Sequence, residues 1–400
     1  MLDRDSDPAP PTAAFTAADV ARVAKRVETL RGLRFERPVR PRFLDRDEAL
    51  ELVQRISRSD YPDRERRIDE EGLKLLGLLR PSVDLGEAID SVDEEQLLGF
   101  YDDRSGRLVV IREPGATRSL LEVTLAHELV HALEDQRFGL DSGEGLPDDR
   151  LLAEAALAEG TATALMVDYA ERYLSVGDVL ELLNLPESGA LPPFLEKLLL
   201  FPYLEGEKFV VEFRGESGKW RAIDSIYRFR RPLSAEQILH PRRYALGERP
   251  ERVRTPPLAP ALGSGWQRLT ATTLGEYDLR LLFDLVGGTR PAAAAEGWAG
   301  GRYQLWRRGK LDDSCDAPCV ARDVAYVRVR WDTLRDREEG ERELVKVWEQ
   351  GLRGKRLGGR ASVWAWSARG GAIMMSGRGR ETTAVIAPDV RLAARALAAR

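Results

Sequence analysis

The apolar positions first repeat with a helical period. From Ala17 the string A-A-D-V-A-R-V-A-K-R-V-E-T-L-R reads as an amphipathic helix stopped by Gly32. Residues 1–16, with D-S-D-P-A-P-P-T, have nothing to bury and read as disordered. R-P-V-R-P-R-F-L reads as extended, and two more helices are expected over Asp47–Ile56 and Ile68–Leu79, the second ended by Pro81. Between Gln96 and Arg112 the period falls to that of strands, so L-L-G-F-Y and R-L-V-V-I form a hairpin about D-D-R-S-G. A helix then runs from Arg118 to about Arg137, closed by Gly139. After the loop D-S-G-E-G-L-P-D-D, Asp148 or Asp149 is expected to cap a long helix reaching Tyr173.

Residues 176–260 read as helical and punctuated by proline, and Arg254–Gly265 has the composition of a linker. L-G-E-Y-D-L-R-L-L-F-D-L-V starts another helix. The last part reads as strand (Ala325–Trp331), helix (Asp336–Trp348), two strands (Ser362–Trp366, Ala372–Met375), a further strand and a helix. The expected fold class is α+β, predominantly helical. Its expected partition is a disordered segment (1–16), a main domain (17–253), a linker with a helical extension (254–320) and a small C-terminal α+β unit (321–400).

Composition narrows the function classes. The 400 residues are 43% hydrophobic and 32% charged, with a net charge of −5, so no overall field draws the chain to nucleic acid. Of the 61 basic residues 53 are arginine, which reads as compositional bias, and R-F-R-R-P (Arg228–Pro232) and H-P-R-R-Y read as solvated faces. No apolar run approaches the length of a membrane-spanning helix. The N-terminus shows no signal peptide. The two cysteines, Cys315 and Cys319, make a poor zinc site and form either a local disulfide or two free thiols. The tryptophans at 298, 306, 348, 364 and 366 read as packing residues.

One motif carries chemistry. H-E-L-V-H, His127 to His131, places two imidazoles one helical turn apart on one face, where both reach a single cation. Glu128 projects toward the open side of that cation, as a general base for water does. A catalytic zinc needs a third protein ligand, and no close histidine follows. The next long helix, L-L-A-E-A-A-L-A-E-G-T-A-T-A-L-M, offers Glu159 and Glu154, which are five residues apart and cannot both face the metal. Alanines and Gly160 around Glu159 allow a close approach to the histidine helix. Glu159 is the favoured ligand and Glu154 the alternative.

H-E-x-x-H followed on the next helix by E-G-T-A (Glu159–Ala162) resembles the gluzincins, thermolysin-like zinc peptidases whose third ligand is glutamate. Longer strings are similar to an uncharacterised family of bacterial and archaeal envelope-associated HExxH metallopeptidases. They are L-R-G-L-R-F, G-F-Y-D, A-H-E-L-V-H-A-L-E-D-Q, A-L-A-E-G-T-A-T, E-Q-I-L-H-P and L-G-E-Y, spread from about Val27 to Trp331. The resemblance implies a gluzincin-like core with the hairpin before the motif helix, one Zn2+ per chain held by His127, His131 and Glu159, and hydrolysis of amide bonds in a peptide or protein substrate. It implies an oxyanion donor, with His240 favoured over Tyr244 and Tyr203. Thr163, Asp168 and Asp135 are candidates to orient the histidines. Leu98–Tyr101 or Leu108–Ile111 is expected as an edge that pairs with substrate backbone.

The resemblance further implies a cell-envelope or secreted protein, although the export signal usual in that family is not visible. G-W-A-G-G-R-Y departs from the family's G-W-G-G-D-R-Y, with Gly301 where aspartate is expected. The rival reading is a zinc-binding, non-proteolytic envelope assembly or binding factor, against which the intact Glu128 speaks. A small-molecule amidase or esterase is a further rival, favoured if Gly297–Tyr303 is a loop closing the site. No cluster to capture a free α-amino group is identifiable in the sequence.

Overall fold

The computed structural model describes residues 15–95, 98–112, 116–140, 146–182, 191–215, 218–287, 291–311, 317–360 and 363–399. The fold is α+β and predominantly helical, 54% helix against 19% strand. Residues 1–14 of the segment expected to be disordered lie outside the described residues, whereas Thr16 has a defined place. It forms a capping box with Asp19 at the start of helix α1 (Ala17–Arg31), which buries Val20, Val23 and Val27.

Strand β1 (Pro41–Leu44) leads to helices α2 (Arg46–Asp60), α3 (Asp63–Leu76) and α4 (Leu85–Glu95), the last an addition to the expected set. The hairpin forms as β2 (Gly99–Asp102) and β3 (Arg107–Ile111) and feeds α5 (Arg118–Phe138), closed at Gly139. β1 pairs parallel with β3, giving a three-stranded sheet of order β1-β3-β2. β2 is therefore the free edge beside α5, and Leu108–Ile111, paired on both sides, is not.

Helix α6 (Asp148–Tyr173) crosses α5 and is followed by α7 (Val176–Leu182), α8 (Pro193–Arg214), α9 (Arg221–Phe229), α10 (Ala235–Leu239) and α11 (Pro241–Leu246). Neither Asp148 nor Asp149 caps α6, because Pro147 occupies the N-cap position. Asp149 instead accepts the Ala235 backbone N–H at 3.0 Å, satisfying a donor at the start of α10. The apolar faces of α1, α5, α6, α8, α9 and α10 share one core, with Leu129, Leu133, Ala156, Leu157, Phe201 and Phe209 at its centre.

The remainder comprises α12 (Ala259–Leu262), β4 (Trp266–Thr272), α13 (Glu276–Asp284), α14 (Pro291–Ala295), β5 (Trp298–Arg308), β6 (Asp323–Trp331) and α15 (Leu334–Lys346). A π-helical turn (Val347–Gly351) then leads to β7 (Lys355–Arg360), β8 (Val363–Ala368), β9 (Gly371–Arg378), β10 (Glu381–Ala387) and α16 (Val390–Leu397). One seven-stranded antiparallel sheet, of order β4-β5-β6-β10-β9-β8-β7, joins all these strands. The linker and helical extension expected over 254–320 thus supply two of its strands, and the unit begins near residue 265. β5 escaped the sequence reading because it is buried on both faces, which removes the alternation that marks a half-exposed strand.

Gly297–Tyr303, considered from sequence as a loop, instead leads into this inner strand, so the condition that would favour a small-molecule substrate is not met. A Cβ at Gly301 would lie 2.2 Å from the carbonyl oxygen of Leu274, and one at Gly300 2.3 Å from that of Glu251. An aspartate at 301 has no room beside that backbone. Nor does the main domain stand apart from the sheet. Ile68, Leu75 and Leu76 of α3 share its core with Leu279, Leu282, Trp331 and Leu352. Arg307 bridges Glu71 of α3 at 2.6 Å and Asp323 of β6 at 2.7 Å in full burial. Trp298, Trp348 and Trp366 are packing residues, as expected. Cys319 is disulfide-bonded, while Cys315 lies outside the described residues. Among the described residues no helix is long and apolar enough to cross a membrane.

The closest helix crossing is that of α6 on α8. A Cβ on Gly160 would lie 2.1 Å from the carbonyl carbon of Gly206, and one on Gly206 2.0 Å from the Ala156 carbonyl oxygen. Gly160 thus serves the approach of α8. Gly160→Ala is expected to destabilise the fold by about 1–3 kcal/mol, overriding the ~1 kcal/mol gain in helix propensity. A lowered urea midpoint would show it, and an unchanged or raised midpoint would contradict the crossing.

Candidate metal centre

The ring nitrogens of α5 and the carboxylate of α6 converge. His127 Nε2 and His131 Nε2 lie 3.1 Å apart, and Glu159 Oε2 lies 3.0 Å from the first and 3.5 Å from the second. Ligand atoms at zinc-ligand distance on a tetrahedron are separated by about 3.4 Å, so this trio has the spacing of three corners. Two imidazole nitrogens and one carboxylate oxygen are also a donor set suited to zinc. The residues therefore fit the metal. Burial opposes the charge on Glu159, but His131 and His127 outweigh it and hold its carboxyl well below the usual carboxylate range.

Glu128, next to the first ligand, turns toward the sheet edge. Its Oε2 accepts the backbone N–H of Tyr101 at 2.8 Å. Burial and the nearby Glu159 push its pKa up, against the effect of the histidines and the Tyr101 N–H. Tyr101 is also tied through its hydroxyl, which donates to Asp135 Oδ2 at 2.7 Å; Asp135 Oδ1 accepts the Leu140 backbone N–H. Two turns of α5 thus hold β2 at one residue.

Behind His131, Glu134 is fully buried yet satisfied. Arg31 of α1 donates to its Oε1 at 3.0 Å, and the Tyr227 hydroxyl to its Oε2 at 2.6 Å. Arg31 also reaches Asp224 at 2.6 Å. Near the start of α5, Glu122 is held by Arg22, Arg26 and the Tyr169 hydroxyl. Sequence reasoning passed over both glutamates. The available signal was an acidic residue at core spacing on a helix with no polar face.

Of the other expected residues, only Tyr203 reaches the centre. Its ring stacks on His127 at 6.1 Å between centroids. Burial, Glu159 and Glu128 all push its hydroxyl pKa up, so it stays protonated. His240, favoured from sequence, is instead turned to α13, where its Nε2 lies 3.0 Å from both Glu276 carboxylate oxygens. That contact joins the strings E-Q-I-L-H-P and L-G-E-Y and gives the histidine a structural task. Tyr244 is buried against Phe209 and Phe213 and donates to the Arg230 carbonyl. Glu154 pairs with Arg150 at 2.9 Å and Arg231 at 3.5 Å and stands outside the trio. Asp168 is paired with Arg214, and the buried Thr163 hydroxyl, one turn past Glu159, bonds no described group.

A cavity of about 440 Å³ opens on His131 and Glu159 between the β2 turn and α6, with Glu154 and Arg231 in its lining. Arg231, assigned from sequence to a solvated face, also donates to the Phe138 and Gly139 carbonyls that end α5. A second group of acidic side chains, Glu236, Glu248 and Asp332, encloses the Arg243 guanidinium at 2.7, 3.6 and 3.3 Å, so its cation is a side chain.

Residues 265–396 match a family described as a domain of unknown function (DUF8575). That span begins at β4, ends within α16 and contains none of the metal-centre residues. No curated protein and no solved structure matches the chain.

Replacing Arg31 by methionine leaves Glu134 charged and buried without its cation, at an expected cost of about 3–5 kcal/mol near neutral pH. Burial already pushes the Glu134 pKa up, and loss of Arg31 raises it further. The native state then binds a proton that the unfolded chain has released, so the deficit is full above the native pKa. It should narrow as pH falls toward the ordinary carboxylate range. Urea titrations at several pH values check both points, and a deficit independent of pH would count against the pairing.

Proposed function

We propose that the protein is a zinc-dependent peptidase of gluzincin type, with His127, His131 and Glu159 holding one metal ion. The observation that carries this reading is the convergence of three ligand atoms within 3.0–3.5 Å beside a glutamate turned to a sheet edge. The order hairpin, HExxH helix, glutamate helix supports it, being the order that the gluzincin resemblance implies. Zinc bound there would polarise the scissile carbonyl and make water acidic enough to deprotonate near neutral pH.

The chain supplies the rest. Glu128 accepts the proton from the attacking water and returns it to the leaving amine. Tyr203, kept protonated beside Glu159, donates to the oxygen that gains charge in the tetrahedral intermediate. The β2 edge aligns substrate backbone. Leu98 O accepts the Ile111 N–H, so by alternation Gly99 and Tyr101 turn their polar groups outward, the Tyr101 N–H onto Glu128 and its carbonyl toward an added strand. An extended peptide added there would run past Glu128.

The test is hydrolysis of a mixed peptide library by wild type and Glu128→Gln, each with zinc content measured. The variant should keep its zinc and lose roughly 10²–10⁴ in rate. Cleavage undiminished in the variant would remove the peptidase reading.

A further inference from the structure

We infer that the cavity beside the metal centre receives a long cationic side chain of the substrate, lysine or arginine, with Asp103 as the residue that selects it; this rests on the peptidase reading above. The cavity, about 440 Å³, reaches from His131 and Glu159 to the turn after β2. Leu140, Leu151, Ala155 and Ala158 form apolar walls, against which a chain of methylenes packs while its charged tip extends beyond them.

The charges lining the cavity are unequally matched. Arg231 has Glu154 at 3.5 Å and donates to the carbonyls of Tyr227, Phe138 and Gly139 at 3.2, 3.0 and 2.5 Å. Arg150 holds Glu154 from its other oxygen at 2.9 Å. Those charges are settled within the protein. Asp103, in the same lining, has no ion pair among the described residues. The next residue, Arg104, is paired to Asp60 at 2.5 Å. Burial of Asp103, followed by the like charges of Asp102, Asp135 and Asp60, raises its affinity for a proton. An ammonium or guanidinium entering the cavity supplies the missing counter-charge. An acidic side chain adds to the repulsion, and a neutral isostere fills the walls but leaves Asp103 unpaired.

Matched peptide hydroxamates test this without turnover. Each carries lysine, norleucine or glutamate beside the zinc-binding group, in both chain polarities, and is titrated calorimetrically into zinc-loaded wild type and Asp103→Asn. In one polarity the lysine probe should bind wild type roughly tenfold or more tighter than norleucine, with glutamate weakest. Asp103→Asn should erase the lysine advantage and leave norleucine affinity unchanged. Zinc-dependent binding with lysine and norleucine equal in both polarities would overturn the pocket assignment and leave the peptidase reading standing. Absence of zinc-dependent binding by every probe would overturn both.

Discussion

The centre depends on how closely α6 can lie against its neighbours. Glu159 reaches both histidines of α5, while the next residue, Gly160, meets Gly206 of α8 backbone to backbone. Three residues before Gly206, Tyr203 is thereby brought over His127. Adjacent residues of α6 thus fix a ligand on one side and a hydroxyl on the other. A side chain at either glycine pushes α6 and α8 apart.

Beneath that crossing the motif helix is anchored through charge. Glu122 and Glu134 carry carboxylates into the core, which is tolerable only because arginines of α1 and the hydroxyls of Tyr169 and Tyr227 satisfy them. The first helix of the chain is therefore part of the site's foundation. On the opposite side Tyr101 ties the sheet edge to Glu128 and Asp135, setting the distance between β2 and the motif helix.

The parts of the site legible in the sequence were local ones. The two histidines four apart follow from helical period, the choice of Glu159 over Glu154 rested on the small residues beside it and on the E-G-T-A resemblance, and the structure brings the three together. That Tyr203 reaches the centre and His240 does not was not legible, because what separates the two is tertiary. One helix is carried in by a glycine crossing, and the other residue is occupied by Glu276, on a helix α13 well downstream. In the fold, the hairpin and its following helices were marked by a change of period, whereas β4 and β5 were not. A strand buried on both faces, as β5 is, carries no alternation, and the span 254–320 read as linker and helical extension. The glycines at 300 and 301, which looked like loop residues, are there because other backbone passes within van der Waals reach.

Zinc per chain, measured by elemental analysis on wild type and Glu159→Ala purified without added metal, tests the central claim most directly. One equivalent in the wild type and far less in the variant is the expected result, since two neutral imidazoles alone hold the ion weakly. Equal zinc in both would contradict Glu159 as a ligand. No zinc in the wild type, even after incubation with the metal, would contradict the metal centre itself.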